Sequence, residues 1–527
     1  MKVFLMFLLM LSISCSDGAR ILLTPLDAGY NSRVTNLLTL GRILQGVGHN
    51  ISVLCSDQMQ HQPLLKTVEG DRFTEEFNVI TYQTKPETRS TANKEWLLSY
   101  IGLTMTECMA TFSPLFPEIM ELALQDEELW SILETSDFEL IVTDDHTLIA
   151  RILGDHFNIP VISYINWGPM TPLSNNIFPL NPAYVPASTY YSDTMTFAQR
   201  LMNVKEYLHL RWVAYNMMSI GKNICLKYKH VNSKSCENIE NFSETVSLVF
   251  VNRNNMLHYP QPFMPHVVSI DGFTLKQPSK LDTFYNDIFK KAGHNGVIIA
   301  SFGSLFRNLP MQMAEMFAEA FSAMPQQVIW SYEGLAPKSL GVNTIVRPWI
   351  PQNDLLGHPD VKLFIHHCGL LSTYQAVQHA VLTINIPFFL DQGYNSEKIT
   401  NRIQSGRSVD ILGLTSETLI QEMQEVIRNS TYKEKAKAAA EIFNDRPIEA
   451  EATVKYWVNY ILRHKGAPHL RSQGLHQLNW FQYLLLDIIG FIVLMVVLGV
   501  LGVALMIKCI HRTLFINNIF HVKQKQS

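Results

Sequence analysis

Short apolar blocks alternate with stretches of helical apolar spacing along this chain. RILLTPL (Arg20 to Leu26) is one such block, and the polar turn DAGYNSR follows it. From Val34 to Leu44 the apolar residues fall at helical spacing, and HNISVLC (His49 to Cys55) forms the next block. Strand, loop, helix, strand predicts a βαβ unit in a parallel sheet. DFELIVTDD (Asp137 to Asp145) and IPVISYI (Ile159 to Ile165) extend the alternation. The theme restarts at GVIIASFGS (Gly296 to Ser304), a strand running into a glycine turn, with a helix near Met311 to Met324. QVIWSY (Gln327 to Tyr332), NTIVRPW (Asn343 to Trp349), KLFIHH (Lys362 to His367) and LTINIP (Leu382 to Pro387) read as further strands. The chain is thus predicted to be α/β, in two halves joined by a polar stretch around Asp271 to His294. Ligands of open parallel sheets bind beyond the carboxyl ends of the strands. Chemistry is therefore expected in DAGYNSR, TDDH, SFGS, PWIPQND, HHCGLLS and FFLDQ, with a ligand held in a cleft between the halves.

The two ends carry different signals. Lys2, the apolar run Val3 to Ile13 and the small residues up to Ala19 read as a secretory signal peptide, 1–19, cleaved between Ser16 and Ala19. Ile488 to Ile507 is an uncharged apolar run of 20 residues, the length of a membrane-spanning helix. The tail 508–527 carries Lys508, Arg512, Lys523 and Lys525 and no acid, which puts it in the cytosol and the bulk of the chain in the lumen. Lysines third and fifth from the end, in KQKQS, resemble a dilysine retrieval signal. The reading is a single-pass type I protein of the endoplasmic reticulum membrane.

Composition narrows this further. The 527 residues are 47% hydrophobic and 17% charged, which excludes wholesale disorder. A formal charge of −4 leaves no electrostatic footprint for nucleic acid. Of seven cysteines, Cys55, Cys108, Cys225, Cys236 and Cys368 would lie in an oxidising lumen. Cys225 and Cys236 are the nearest pair that could bridge, and an odd count leaves one free. No cysteine spacing indicates a metal site. Asn50, Asn241 and Asn429 stand in glycosylation acceptor triplets.

One stretch is more specific: FIHHCGLLSTYQAVQHAVLTINIPFFLDQ, Phe364 to Gln392. It resembles the signature of the UDP-glycosyltransferases, especially the membrane-bound animal branch that includes the glucuronosyltransferases. WIPQNDLLGHP (Trp349 to Pro359), SFGS (Ser301 to Ser304) and YWVNYILRHKGAPHLR (Tyr456 to Arg471) fit neighbouring segments of that family. The resemblance implies a GT-B architecture, with two Rossmann-like domains facing a cleft and one C-terminal transmembrane helix. It implies an acceptor-binding domain over 20–275, a linker over 276–294, a UDP-sugar-binding domain over 295–475 and the span at 488–507. It further implies inverting sugar transfer from a UDP-sugar to a small lipophilic acceptor, with no metal and no cofactor besides the donor. Relatives tend to associate in the membrane, so homo- or hetero-oligomers are within the expectation.

The roles carried over are these. His367 donates to the diphosphate at a helix N-terminus, Gly369 allows close backbone approach, and Ser304 contacts phosphate from the facing loop. Trp349 stacks on uracil, and Gln352 bonds near the uracil or ribose. Gln375 stands where the family has Glu for the ribose, and Asp391 and Gln392 hold sugar hydroxyls. Asp144 is the family's buried Asp that orients the catalytic His, although Asp145 and His146 adjoin it. Apolar stretches at Trp96 to Pro114 and Asn166 to Tyr191 are the candidate acceptor pocket.

The pattern also breaks. The catalytic His position falls on Arg33 in the ungapped alignment and on Tyr30 in an alternative one. Arginine stays protonated and cannot be a general base near neutral pH. Gln375 loses the charge-assisted bonds of Glu. His366, Leu370-Leu371, Leu382 and Leu390 also replace the family's usual residues. Two readings follow: a working UDP-glycosyltransferase of the endoplasmic reticulum lumen, or a catalytically weak relative that binds a ligand or a sister glycosyltransferase.

Overall fold

The computed structural model describes residues 18–27, 31–59, 73–84, 98–166, 181–187, 189–240 and 246–524. Tyr30, Asn241, most of the signal segment and parts of both aromatic stretches lie outside them. The chain forms two compact units that divide between Leu470 and Arg471. The first unit contains two parallel sheets. One is built from β1 (Arg20–Thr24), β2 (Asn50–Ser56), β3 (Asn78–Tyr82), β4 (Leu140–Asp144), β5 (Val161–Ile165), β6 (Leu248–Val251) and β7 (Val267–Ser269). Its spatial order is β3-β2-β1-β4-β5-β6-β7. The other contains β8 (Val297–Ser301), β9 (Gln327–Ser331), β10 (Thr344–Arg347), β11 (Val361–His366), β12 (Thr383–Asn385) and β13 (Gly406–Ser408). Its order is β10-β9-β8-β11-β12-β13. In both sheets the order reverses beside the first strand, and in doubly wound sheets the loops at such a switch point form the binding crevice.

Burial on both faces explains the apolar runs. Every residue of β4, β5, β6 and β8 is buried. Such strands read as continuous hydrophobic blocks and not as alternating ones. β3 is only partly buried, and β7 and β13 have three residues each. The sequence pattern does not single out these three, nor the four-residue, fully buried β6.

Several helices differ from expectation. The polar joining stretch contains the helix Thr283–Ala292, capped by the Asp282 side chain at Tyr285 N. Its buried face, Tyr285, Ile288, Phe289 and Ala292, packs in the core of the second sheet. The helix Ala450–Arg463 follows the second sheet in sequence, yet Val454, Val458 and Ile461 share a core with Ile21, Leu23 and Val34 of the first. A 29-residue helix, Phe197–Cys225, ends at a disulfide to Cys236, while Cys55, Cys108 and Cys368 are free and buried.

The second unit is dominated by the helix Leu486–Gln524. Its segment Leu486–Leu514 is long and apolar enough to cross a membrane. The helix thus begins before the uncharged run and continues past it into the basic tail.

The disulfide links residues 11 apart, which restricts the unfolded chain. A Cys225→Ala/Cys236→Ala variant is expected to lose about 2–4 kcal/mol of stability. The check is the urea midpoint of the detergent-solubilised chain; an unchanged midpoint would mean the bridge contributes nothing.

Candidate active site

The loops after β8 and β11 meet around one imidazole, that of His367. Gly303 follows β8 with φ +75°, and a Cβ there would stand 2.5 Å from His367 Cε1. A Cβ on Gly369 would stand 2.8 Å from His367 Nε2. Both glycines are therefore required where the loops close on the ring. Gly369 also starts the helix Leu370–Gln378, whose first amides face the loop. Burial pushes the His367 pKa down to about 4, so the ring is neutral near pH 7 and can donate through one N–H only. Ser304 stands next to Gly303 on the facing loop, half-buried.

His366 has a separate task. It is fully buried, stacks on Phe364 at 4.6 Å and accepts from Cys368 N at 3.2 Å. Cys368 is left-handed, with φ 64°, so this bond fixes the turn that presents His367. Burial, and secondarily the neighbouring His367, push the His366 pKa down to about 3.

The loop after β12 carries the next groups. Leu390, where the family resemblance implies Gly, holds φ 56°, a conformation that an L-residue adopts at a cost of roughly 1–2 kcal/mol. Asp391 accepts from Asn395 Nδ2 at 2.7 Å, and the same nitrogen donates to the Cys368 carbonyl at 3.0 Å. Asn395 thereby ties the β11 loop to the β12 loop. Lys398, completely buried, donates to Asn395 Oδ1 at 3.2 Å and sits 3.7 Å over the Tyr394 ring. Its burial holds the ammonium pKa well below the usual lysine range. The Asp391 carboxyl is raised by burial, against the pull of Asn395, Lys398 and Arg33. Asn395 and Lys398 escaped the sequence reading. Their signal is the spacing 391, 395, 398, one face of a helix. Gln392 Oε1 accepts from Phe388 N at 2.8 Å and Phe389 N at 3.3 Å, so its amide nitrogen is the group left to donate outward.

Trp349 follows β10 and is 66% exposed, an open aromatic face. Gln352 Nε2 donates to Gln375 Oε1 at 2.7 Å and to Ser372 Oγ at 3.1 Å. The Gln375 carbonyl, expected to face ribose, is thus already an acceptor within the protein and keeps one lone pair.

Across the first sheet, Arg33 is in the opening turn of the helix Asn31–Gln45 and Asp144 ends β4. Arg33 Nε donates to Asp144 Oδ2 at 2.8 Å, and its Nη2 contacts Asp144 Oδ1. The same Nη2 reaches Asp145 Oδ1 at 2.6 Å and stands 3.0 Å from His146 Nδ1. Arg33, Asp144, Asp145 and His146 are each at most 2% exposed. Burial raises the Asp144 carboxyl above the usual range despite Arg33. Burial acts on Asp145 too, but His146 and Arg33 outweigh it and hold that carboxyl below the usual range. Asp144, Asp145 and His146 present ligand atoms within 4.8 Å of one another, as a metal site would. The guanidinium already stands among them as the cation.

A family described as UDP-glucoronosyl and UDP-glucosyl transferase matches residues 19–525. UDP-glucuronosyltransferase 1-2 of Mus musculus is 31% identical over 526 residues, 96% of this chain and 93% of that protein. UDP-glucuronosyltransferase 1A1 of Mus musculus is 30% identical over 513 residues, 94% of this chain and 91% of that protein. UDP-glucuronosyltransferase 1A6 of Homo sapiens is 30% identical, covering 91% of this chain and 89% of that protein. Among solved structures, the glycosyltransferase of kitacinnamycin aligns with TM-score 0.56 at 15% identity, over 84% of this chain and 99% of that one. The spinosyn forosaminyltransferase SpnP does so with TM-score 0.56 at 13% identity, over the same shares. These two show the fold alone: the two facing parallel sheets are the GT-B arrangement.

The buried histidines make stability depend on pH. The His366 pKa is about 3 in the folded chain and 6.5 in the unfolded one, so between these values the unfolded state binds the extra proton. Stability is therefore fully present above pH 6.5 and is lost as pH falls toward 3. The loss from this one group approaches about 1.4 kcal/mol per pH unit. Denaturant midpoints across this acid range should fall less steeply in His366→Gln than in the wild type.

Proposed function

The chain belongs to the UDP-glucuronosyl and UDP-glucosyl transferase family, and on that premise we propose that it transfers a sugar from a UDP-sugar to a small lipophilic acceptor in the endoplasmic reticulum lumen. The transfer is an inverting displacement at the anomeric carbon, with no metal. One observation carries this reading: Asn395 bonds both the Cys368 carbonyl beside His367 and the Asp391 carboxylate. That single amide holds a diphosphate-binding turn and a hydroxyl-binding carboxylate in one cluster.

His367 donates to the diphosphate together with the amides that open Leu370–Gln378, which favour anions without a charged side chain. Ser304 reaches the phosphates from the loop after β8. The exposed face of Trp349 stacks on uracil, and the Gln352–Gln375 pair meets the ribose. Asp391 and the Gln392 amide nitrogen take the sugar hydroxyls. The acceptor enters from the first sheet, past Asp144. The apolar helix Leu486–Leu514 anchors the chain as a single-pass type I protein, and the dilysine tail keeps it in the endoplasmic reticulum. The division into domains at 20–275, 276–294 and 295–475 is part of the proposal, with the helix Ala450–Arg463 serving the first sheet.

A second reading rests on the Arg33–Asp144 pair. A guanidinium there cannot accept the acceptor proton, so a catalytically weak relative that binds a ligand or a sister glycosyltransferase is the alternative. UDP release by the full chain in detergent, with a panel of UDP-sugars and phenol, carboxylate and amine acceptors, separates the two. Acceptor-dependent turnover that Asp391→Ala abolishes is the expected result. Turnover absent from the wild type but gained by Arg33→His would establish the second reading instead. In the same preparation, Gln375→Glu is expected to tighten UDP binding by roughly fivefold, about 1 kcal/mol, as charge-assisted bonds replace neutral ones. Calorimetric titration with UDP checks this, and equal affinity would remove Gln375 from the ribose site.

A further inference from the structure

We propose that the helix Phe197–Cys225 lies on a phospholipid surface, with its outward apolar stripe inserted at the level of the headgroups. The inference rests on the single-pass anchor of the reading above, which keeps a bilayer within reach of the chain.

The helix has two apolar stripes where a surface helix of a soluble protein needs one. Positions two apart lie about 200° apart around a helix, on nearly opposite faces. Leu210, Ala214 and Met217 are buried, and the helix packs against Met105–Phe112 and Leu115–Gln125. Leu208, Trp212 and Tyr215, each two positions earlier, are 58%, 59% and 62% exposed. Phe197 and Leu201 extend this outer stripe and are 74% and 61% exposed. The spacings of four, seven, four and three residues hold all five on one face, over about 27 Å of helix. Single exposed apolar residues need no explanation, but a continuous row of aromatic and leucine side chains marks an interaction surface.

The charged residues select the occupant. The helix carries Arg200, Lys205, Arg211 and Lys222 and one acid, Glu206. Glu206 accepts from Thr106 Oγ1 at 2.6 Å, on the packed side, and stands 3.9 Å from Lys205 Nζ. Lys222 is paired with Glu240 at 3.4 Å. Arg200 donates to the Met195 carbonyl and Arg211 to Tyr207 Oη, so neither guanidinium meets an acid in these contacts. Arg200 and Arg211 fall on one flank of the stripe and Lys205 on the other. Apolar and aromatic side chains flanked by cations fit the interface of a bilayer: headgroup phosphates take the cations while the stripe enters the acyl boundary. Trp and Tyr suit that depth, being apolar rings with a polar end. A second copy of this chain fits less well. Stripe laid on stripe sets Arg200, Lys205 and Arg211 against their own counterparts, with no acid on the outward face to separate them.

The tether makes the contact easy to reach. The chain between the two units, 471–485, is at most roughly 50 Å long when fully extended. With Leu486–Leu514 in the bilayer, a lipid surface is always within its reach. The contact is then intramolecular in effect and needs little affinity of its own to persist.

The test uses the full chain in phosphatidylcholine nanodiscs, with and without phosphatidylserine. Cys509, an exposed free thiol, is replaced by Ser; Cys55, Cys108 and Cys368 are buried. An environment-sensitive fluorophore is attached through Leu208→Cys and, in a second preparation, through Val342→Cys, a fully exposed position. The label at 208 is expected to lose most of its emission to nitroxide lipids, more with the nitroxide near the headgroup than near the chain end, while the label at 342 keeps its emission. Leu201→Glu with Trp212→Glu, both at exposed positions, should abolish the quenching at 208 with the circular dichroism unchanged. Quenching at 208 no greater than at 342 would overturn the proposal and leave the anchor reading standing. A label at 208 that is shielded from water yet unquenched by lipid would mean that protein covers the stripe, a second copy where the shielding needs two chains per disc, and would also overturn it. A chain that elutes apart from the discs has no anchor, and that outcome removes the anchor reading and this inference with it.

Discussion

The first half of the site is organised by one guanidinium. Arg33 is buried against Asp144 and Asp145, and all three groups have left water. Charges so enclosed persist only when paired and hydrogen-bonded, and removing one partner of such a set typically costs about 3–5 kcal/mol. The pairing fixes the start of the helix Asn31–Gln45 relative to the end of β4. It also sets the charge that His146 experiences. The cluster is therefore structural and electrostatic at once, and its fourth member, His146, is the one that lines a cavity.

Among the described residues, the second half is held without a buried ion pair. Its turns use left-handed backbone at Gly303, Cys368 and Leu390, and its order comes from His366, Asn395 and Gln392, each accepting from or donating to loop backbone. The phosphate side is thus built of neutral, aimed donors, suited to an anion that brings its own charge. Lys398 adds a buried amine behind it, bonded to Asn395 and set over the Tyr394 ring.

The two halves are joined by the loop after β6. Asn254 N donates to Tyr374 Oη at 3.1 Å, Tyr259 Oη donates to Glu397 at 2.7 Å, and Arg402 Nε donates to the Met256 carbonyl at 2.7 Å. Helices 370–378 and 392–397, which carry Gln375 and Asn395, are thus gripped from the other sheet. The helix Ala450–Arg463 returns to the first sheet and adds an apolar tie.

Much of this was legible in the residues. Buried parallel strands are continuous apolar blocks, so nine of them could be read directly, as could the anchor, whose length is set by the bilayer. The other four, β3, β6, β7 and β13, were not read; β3, β7 and β13 are only partly buried and lack a continuous apolar block, and β6 has four residues. The joining stretch read as polar because the helix Thr283–Ala292 buries only one face. The motif order also placed His367, Gly369, Asp391 and Gln392 after strands, where ligands bind. Distances were a different matter. That Arg33 meets Asp144 across 111 positions, that Gln352 occupies the Gln375 carbonyl, and that Asn395 joins two loops depend on how the sheets stack. Local pattern determines which elements form and which groups lie at their ends. Which of those groups share one desolvated space, and so hold or shift one another's charge, was decided only by the packing that removed the water between them.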